Sequence, residues 1–394
     1  MTDPRPSPRP PEWDLSAAAD LCLSVQAVPA PTFDEGRRAA FVADRLKAAG
    51  LPDVTIDATG PNVVARWPGL AEGPGILVSA HLDTVFPEST ALAARRQGLR
   101  LEGPGIGDNS LGVTGLILLA QALVEVGKPA AVPLWLVANA GEEGLGDLKG
   151  MRVVMDALGP KVAACIVLEG SKQGPWPVTH LALGSRRYRI RAQAPGGHSW
   201  GDFGQPSALH LLVRLAAELT TLPLPRQPRC SFNIGELRGG NSVNSIAEQA
   251  ELLLDLRSEA PEALAALAAW VEAACARHAG PAAAMGAAIA WELVGDRPAG
   301  GIPPRHPLVR AAVEALRAGG VGPERIALRR SSTDANLPLA RGLPAVTVHL
   351  AEGGGAHRLD EWVDLSELGT GLDQVWRLVH TAADLAAGGR LAAA

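Results

Sequence analysis

The first half of the chain alternates short apolar runs with longer apolar stretches. Strand length is typical of four runs: NVVARW (62–67), GILVSA (75–80), VPLWLVANA (132–140) and VAACIVLEG (162–170). LGVTGLILLAQALVEVG (111–127) is long enough for a packed helix of about four turns. Strands that alternate with helices predict an α/β fold with a mostly parallel central sheet, flanked by helices on both faces.

The pattern changes near residue 183. SRRYRIRAQA (185–194) alternates polar and apolar residues, as a half-exposed strand does. A helix, two strands, a long Ala-rich helix and a last strand follow, which is the β-α-β-β-α-β order of a ferredoxin-like α+β unit. The α/β pattern resumes after residue 295. We therefore predict one domain from residues 1–182 and 296–394, interrupted by an inserted domain at 183–295.

The composition is that of a globular protein. The chain has 394 residues, with 47% hydrophobic residues, 20% charged residues and a net charge of −5, so we expect no nucleic-acid partner. No run of about eighteen apolar residues is evident, and we expect no membrane partner. MTDPRPSPRPPEW (1–13) predicts a disordered arm rather than a signal peptide. Four scattered cysteines in apolar contexts indicate free thiols and a cytoplasmic protein.

Polar residues with metal-binding or acid–base chemistry follow the predicted strands. The carboxyl ends of strands border the ligand crevice in open α/β sheets, so five segments bring such residues to one edge. The residues are His81 and Asp83 after the second run, Asp108 in a Gly-rich loop before a helix, Glu142 and Glu143 after a strand, Glu169 at a strand end, and His357 in a loop after the last strand.

Two imidazoles with several carboxylates suit a pair of divalent ions, and zinc accepts both donor types. Asp83 suits a role beside the metal, where it would accept the second N–H of His81. Adjacent side chains in extended chain diverge, so Glu142 and Glu143 divide into one ligand and one general base. Each motif alone has an ordinary explanation: a polar pair, a solvated loop or, for Asp108, a helix N-cap. The combination favours the metal site.

The motifs SAHLDTVFP, GIGDNSLGVTG, NAGEEG, VLEG, GGHS, GGNSVNSIAEQAELLLDLR and GGGAHRLDEWV closely resemble one family of di-metal peptidases and deacylases. That family includes aminoacylase, peptidase T, glutamate carboxypeptidase, acetylornithine deacetylase and succinyl-diaminopimelate desuccinylase. The resemblance spans nearly the whole chain from about residue 15. It implies two metal ions per subunit, expected to be zinc, with cobalt or manganese as alternatives. It assigns His81, Asp108 and Glu169 to one ion, and Asp108, Glu143 and His357 to the other.

In the same resemblance Asp108 bridges the ions, Glu142 is the general base and Asp83 supports His81. It also implies a cis peptide bond between Asp108 and Asn109. The Asp-Asn-Ser sequence after the Gly-rich loop departs from the commoner family pattern and is similar to peptidase-T-like members. A glutamate at position 169 goes more often with deacylases, so both a small peptide and an N-acyl amino acid stay open as substrates.

The inserted domain contributes APGGHSWGDFG, in which two glycines precede His198. A hairpin-turn histidine is one interpretation. The resemblance implies that His198 reaches the other subunit's active site and stabilises an oxyanion, and hence a homodimer formed through the inserted domain. It also places Asn244 and Arg257 at the substrate's carboxylate end. Arg257 ends an apolar strand and needs an anionic partner, from the substrate or the protein. Asp334 is either a helix N-cap or a residue of the substrate pocket.

The sequence thus predicts a metal-dependent hydrolase of amide bonds, in which a metal-activated water attacks the carbonyl and Glu142 carries the proton. The alternative is a catalytically silent protein that binds metal or peptide on the same scaffold. The presence of Glu142 beside the ligand Glu143 favours the enzyme, because a binding protein needs no base there.

Overall fold

The computed structural model describes residues 8–58 and 60–391. It divides the chain into two compact units: a catalytic unit with the residues up to Ala182 and from Gly301 onward, and an inserted unit, Leu183–Gly300. The helices are α1 Leu15–Gln26, α2 Gly36–Ala48, α3 Gly112–Val126, α4 Lys149–Leu158, α5 Ala208–Leu219, α6 Pro261–Ala284, α7 Pro307–Ala318, α8 Asn336–Ala340 and α9 Leu368–Ala387.

The strands are β1 Thr55–Ile56, β2 Val63–Trp67, β3 Gly75–His81, β4 Arg95–Gln97, β5 Arg100–Glu102, β6 Leu134–Asn139, β7 Val162–Lys172, β8 Trp176–Ala182, β9 Gly184–Gln193, β10 Gly197–His198, β11 Cys230–Gly239, β12 Ser245–Ile246, β13 Gln249–Ser258, β14 Ala288–Arg297, β15 Gly300–Gly301, β16 Ile326–Ser331, β17 Ala345–Gly354 and β18 Trp362–Asp364. β14 continues to Arg297, so the inserted unit ends at Gly300 rather than near residue 295.

The catalytic unit is built on a central sheet with the order β1-β2-β6-β3-β7-β17-β18-β5-β4. Its middle strands β6, β3, β7 and β17 are parallel, and antiparallel strands flank them. All residues of β3 are buried, and alternate residues enter different cores: Ile76 and Val78 join the larger cluster, whereas Leu77 joins the smaller one. Helices therefore cover both faces, as predicted, and the carboxyl ends of the four strands share one edge.

Helix α3 packs on the face of the sheet that contributes to the larger core cluster. An irregular turn, Ile106–Leu111, precedes this helix. By length and composition alone, the combined stretch Ile106–Val126 could cross a membrane. Because 72% of its most apolar 18-residue segment is buried within the protein, this stretch has the character of a core helix. No other described helix meets both criteria.

The inserted unit is a four-stranded antiparallel sheet with the order β11-β13-β9-β14. The apolar residues of β9 and β13 that alternate along each strand pack against α5 and α6. This is the β-α-β-β-α-β arrangement that the alternating pattern predicts. A short pairing of β10 with β12 lies outside this sheet and places His198 opposite Ser245.

The chain leaves and re-enters the catalytic unit at neighbouring positions. The Ile302 N–H donates to the His180 carbonyl at 3.1 Å, and the His180 Nδ1 atom lies 2.6 Å from the Ile302 carbonyl oxygen. The two ends of the insertion are therefore held side by side in the catalytic unit by His180 and Ile302.

The predicted disordered arm falls partly on residues 1–7, which lie outside the described residues. For residues 8–13 the prediction is wrong. The Trp376 indole donates to the Pro8 carbonyl at 2.9 Å, and the Trp13 indole donates to Asp373 at 2.8 Å. Indole N–H groups that need acceptors thus fix this segment on α9.

Candidate metal centre

The functional residues of the catalytic unit meet at the carboxyl edge of the parallel strands. His81 is the last residue of β3, Glu169 lies in the final third of β7, and the Glu142–Glu143 pair follows β6 by a short turn. Asp108 lies in the irregular turn before α3, and His357 follows β17 in a left-handed conformation with φ of 68°. The structure therefore brings together the five segments that sequence analysis singled out.

Asp108 lies between the two histidines. Its Oδ1 atom is 3.1 Å from His81 Nε2, and its Oδ2 atom is 3.3 Å from His357 Nε2. His81 Nε2 also lies 3.8 Å from Glu169, and His357 Nε2 lies 3.1 Å from Glu143. Each oxygen of this one carboxylate thus faces a different imidazole, which itself faces a second carboxylate.

Among the described residues, three groups of side chains have ligand atoms within 4.8 Å of one another and could each hold a cation. Two of them share Asp108, and these match the ligand sets that the family resemblance implies. The third joins Glu142 to His81 and Glu143. The groups are His81–Asp108–Glu169, Asp108–Glu143–His357 and His81–Glu142–Glu143.

The protonation of this cluster reflects its concentration of carboxylates. Burial alone would lower the pKa of His81, but hydrogen bonds to Asp108, Asp83 and Glu169 raise it well above its ordinary value. Hydrogen bonds to Asp108 and Glu143 raise the pKa of His357 to about 10. Burial would raise the pKa of Asp108, but the two imidazoles hold it far below its usual range. Without other cations, imidazolium charges balance the carboxylates here.

Glu169 differs from Asp108 because the pKa of its carboxyl group is raised. Burial is the main cause, and the charges of Asp108 and Asp334 add to it, so the pKa of Glu169 rises to about 7 despite its contact with His81. Cations close to Glu169 would favour its carboxylate form. Imidazole nitrogens with carboxylate oxygens are a donor set that fits Zn²⁺ and related transition ions better than Mg²⁺ or Ca²⁺.

Asp83 fixes the loop that carries the glutamate pair. Its Oδ1 accepts the Glu142 N–H and its Oδ2 accepts the Glu143 N–H, each at 2.9 Å. The His81 Nδ1 atom is 3.1 Å from the Asp83 main-chain oxygen and 3.6 Å from the carboxylate. Orientation of the imidazole therefore comes mainly from the Asp83 backbone, whereas the carboxylate chiefly orders the Glu142–Glu143 backbone.

The peptide bond between Asp108 and Asn109 is cis, as the resemblance implies. The Asn109 side chain spans from the turn to the sheet: its amide donates to the Leu168 carbonyl at 2.9 Å, and its Oδ1 accepts the Gly112 N–H at 3.1 Å. Asn109 thereby connects the turn to the start of α3 and to the strand that carries Glu169.

Asp334 lies just before α8 and is fully buried. Its Oδ2 accepts from the Asn139 amide at 2.8 Å, and Asn139 is the register partner of His81. The N-cap position of α8 is Ala335, so the N-cap interpretation of Asp334 is wrong. Asp334 instead lies beside the metal-centre edge of the sheet, where its charge acts on Glu169.

Sequence reasoning missed several residues that support the centre from outside the motifs. Thr32 donates its hydroxyl to Asp83 at 2.9 Å, and Glu35 accepts the Gly141 N–H at 3.0 Å. The buried Arg38 guanidinium donates to the Leu82 carbonyl at 2.9 Å. A fourth missed residue, Glu361, accepts three backbone N–H groups of the turn at 105–108. A polar residue directly after an apolar strand can be recognised in the sequence. A side chain that accepts backbone N–H groups of a distant segment leaves no such pattern.

His198 lies in an exposed loop of the inserted unit. Its N–H donates to Asp202 at 2.7 Å, and its Nδ1 accepts the N–H groups of Trp200 and Gly201 at 3.2 Å each. In the neutral ring the proton is therefore on Nε2, which makes that atom a donor. The Asn244 carbonyl accepts the Ser199 N–H at 3.0 Å, so Asn244 lies next to the His198 loop.

Arg257 is not part of that cluster. It lies near the end of β13, paired with Ser185 at the start of β9, whereas His198 follows the other end of β9. Its Nε donates to Asp255 at 2.7 Å. The structure thus supplies a protein carboxylate as the anionic partner that sequence analysis required. Eight residues separate Arg257 from Gln249 at the opposite end of the strand, which is about 26 Å.

Comparisons with known proteins agree with this architecture. A family model described as Peptidase family M20/M25/M40 matches residues 77–381. A succinyl-diaminopimelate desuccinylase of Paracoccus denitrificans is 28% identical over 271 residues, 64% of this chain and 68% of that protein. A probable carboxypeptidase of Arthroderma otae is 28% identical over 211 residues, 48% of this chain and 44% of that protein. The match thus spans less than half the length of the carboxypeptidase.

Among solved structures, the aminopeptidase PepT of Bacillus cereus has a TM-score of 0.72 with 19% identity, over 94% of this chain and 99% of that protein. At this identity the likeness shows the fold. It confirms the prediction of an α/β architecture with a mainly parallel central sheet.

Proposed function

The chain belongs to peptidase family M20/M25/M40, and from this premise we propose that it hydrolyses an amide bond in a small peptide or an N-acyl amino acid with the aid of two divalent ions. The family's members are hydrolases, and the relatives named above include a desuccinylase, a probable carboxypeptidase and an aminopeptidase. The observation that carries the proposal is Asp108, whose two carboxylate oxygens each face a different imidazole.

Zinc is the ion we propose, with cobalt or manganese as alternatives. His81 and Glu169 would bind one ion, Glu143 and His357 the other, and Asp108 would bridge both. When bound, such ions supply the Lewis acidity that polarises the substrate carbonyl and makes a water molecule acidic near neutral pH. The chain must supply the proton transfer.

Glu142 is the residue we propose for that transfer. It is buried, and Asp83 fixes its backbone N–H, so the side chain starts from a defined position beside His81 and Glu143. Glu142 lies outside the two groups that share Asp108. It would take a proton from the attacking water and return it to the amine that leaves.

His198 and Asn244 are proposed to act on the substrate from a second copy of the chain. His198 offers an Nε2–H donor, which suits a developing oxyanion. Arg257, proposed to bind a substrate carboxylate, lies about 26 Å along β13 from Gln249, whereas His198 follows the end of β9 that pairs with Gln249. One small substrate cannot touch both ends of one inserted unit. If all three residues contact it, two copies must contribute.

The surface around His198 supports association with a second copy. Trp200 is 87% exposed and Phe203 is 90% exposed, and both lie within five residues of His198. Val243, next to Asn244, is fully exposed as well. Exposed large apolar side chains that cluster beside polar ones mark interaction sites. We therefore propose a homodimer formed through the inserted unit. We also propose that it acts in the cytosol, where its free cysteines stay reduced.

The test is release of free amine from a panel of dipeptides, tripeptides and N-acyl amino acids. Protein stripped with chelator is reconstituted with zinc, cobalt or manganese and compared with the stripped protein. We expect metal-dependent turnover of at least one substrate class. Two equivalents of tightly bound metal without turnover of any amide would instead support the silent binding protein.

A further inference from the structure

Glu361 is a fully buried glutamate in the loop that follows His357. Its Oε2 accepts the Gly105 N–H at 2.9 Å, and its Oε1 accepts the N–H groups of Gly107 at 3.0 Å and Asp108 at 2.7 Å. In addition, its own carbonyl accepts the Gly103 N–H at 2.8 Å. One residue thus satisfies four backbone donors of the turn that carries Asp108.

Glycines bring the backbone of this turn close to the Glu361 carboxylate. Gly105 has a left-handed φ of 68°, and its side of the turn is irregular rather than helical. A Cβ on Gly107 would lie 2.8 Å from Glu361 Oε1 and 2.9 Å from Ser171 Oγ. The backbone therefore approaches the Glu361 carboxylate as closely as glycine permits, and any side chain there would displace the carboxylate.

Asp83 does the same for the opposite side of the centre. Its carboxylate accepts the N–H groups of Glu142 and Glu143, and so fixes the loop with the proposed base and a proposed ligand. The two loops of the centre are each ordered by one buried carboxylate that accepts consecutive or nearly consecutive N–H groups.

From these contacts we infer that Glu361 is a positioning residue for the bridging Asp108, and that it sets the affinity of the centre for both ions. The inference rests on the proposed two-ion function. A direct hydrogen bond joins Glu361 to the Asp108 backbone, so a displaced Glu361 moves a carboxylate that both ions share. Partners of metal ligands typically change metal affinity or activity by about 10–100-fold when they are replaced.

The test uses Glu361→Gln in the full-length protein, with Asp360→Asn as the matched control. Glutamine keeps the size of the side chain but puts an NH₂ group where one oxygen accepts an N–H. Asp360 is the preceding residue, and its exposed carboxylate pairs with Arg358. Metal-free proteins are titrated with zinc in competition with a chromophoric chelator, and their circular dichroism and melting are recorded without metal.

We expect Glu361→Gln to bind both zinc ions about 10–100-fold more weakly and to recover activity as zinc is raised by the same factor. Asp360→Asn should match the wild type. A variant with lower melting temperature but unchanged zinc affinity would show a merely structural role and overturn the inference. If the glutamine variant does not fold, Glu361→Asp, which keeps the charge on a shorter side chain, decides by the same criterion. A wild type that binds no zinc would instead refute the two-ion proposal itself.

Discussion

The metal-centre edge of the catalytic unit and the His198 loop of the inserted unit present their functional side chains in opposite ways. At the edge, His81 and Asp83 are fully buried, and both side chains have partners within the unit. In the loop, His198 is exposed and its Nε2 points away from the contacts that fix Nδ1. The first region is complete in one chain. The second offers an Nε2–H donor, which we propose acts on a substrate held by another copy of the chain.

The largest effect should follow from breaking the first region at its centre. Asp108→Ala removes the carboxylate that both ligand groups share, so we expect loss of both ions and of all measurable turnover. Glu169 belongs to only one of these groups, so Glu169→Ala should weaken the binding of one ion more than that of the other. Metal analysis after gel filtration measures both. Two tightly bound equivalents in Asp108→Ala would disprove the bridging role.

Glu142→Gln separates chemistry from metal binding within the same region. The amide cannot accept the proton, so we expect kcat to fall by about 10²–10⁴-fold while both ions remain. The measurement pairs metal content with turnover of whichever substrate the panel identifies. Loss of the ions in this variant would make Glu142 a ligand and require a different base.

His198→Ala tests the second region. We expect metal content to be unchanged and kcat to fall by about 10²–10³-fold, the usual cost of one oxyanion donor. His278→Ala is the control, because His278 lies on α6 and pairs with Glu218. Mixing His198→Ala with Glu142→Gln under subunit exchange should restore activity, since some sites then combine an intact base with a partner's histidine. A verified mixed dimer without recovery would exclude the crossed site.

The smallest stepwise effect, at most about tenfold per pH unit for each proton, concerns protons at the edge. The pKa of His357 is raised to about 10 without metal, so below that pH the ring carries a proton that a cation must displace. Apparent zinc affinity should therefore rise with pH between about 6.5 and 10, by up to tenfold per unit for each proton released. Competition titrations at three pH values measure the slope, and His357→Asn should reduce it by one proton. A flat profile would contradict the assignment of His357 as a ligand.

Much of the edge could be predicted from sequence because strand ends and Gly-rich loops locate side chains without knowledge of their contacts. His81 and Glu169 each end or nearly end an apolar run, and parallel strands bring such positions to one edge. Glu35 and Glu361 could not be predicted in this way. Their role is to accept backbone N–H groups of segments about 100 and 250 residues distant, as the separations in their hydrogen bonds show.

Arg257 shows a different limit. Because Arg257 lies at the end of an apolar strand, the sequence correctly predicted that it has an anionic partner. That argument does not distinguish a substrate carboxylate from the carboxylate of Asp255, two residues earlier. Asp334 had a similar ambiguity, since a polar residue before a helix resembles an N-cap. The structure distinguishes the two interpretations of Asp334 through its hydrogen bond with Asn139, which belongs to a strand almost 200 residues earlier.

The hydrogen bonds between His180 and Ile302 have a consequence for engineering. Because the chain leaves and re-enters the catalytic unit at adjacent residues, residues 183–300 form an insertion that could be deleted or replaced. A short turn between Ala182 and Gly301 would remove only Gly300, one of the two residues of β15, from the central sheet. The inserted units of relatives could be exchanged at the same junction. In such a library, the proposed metal centre of the catalytic unit and the proposed substrate contacts of the inserted unit would vary independently.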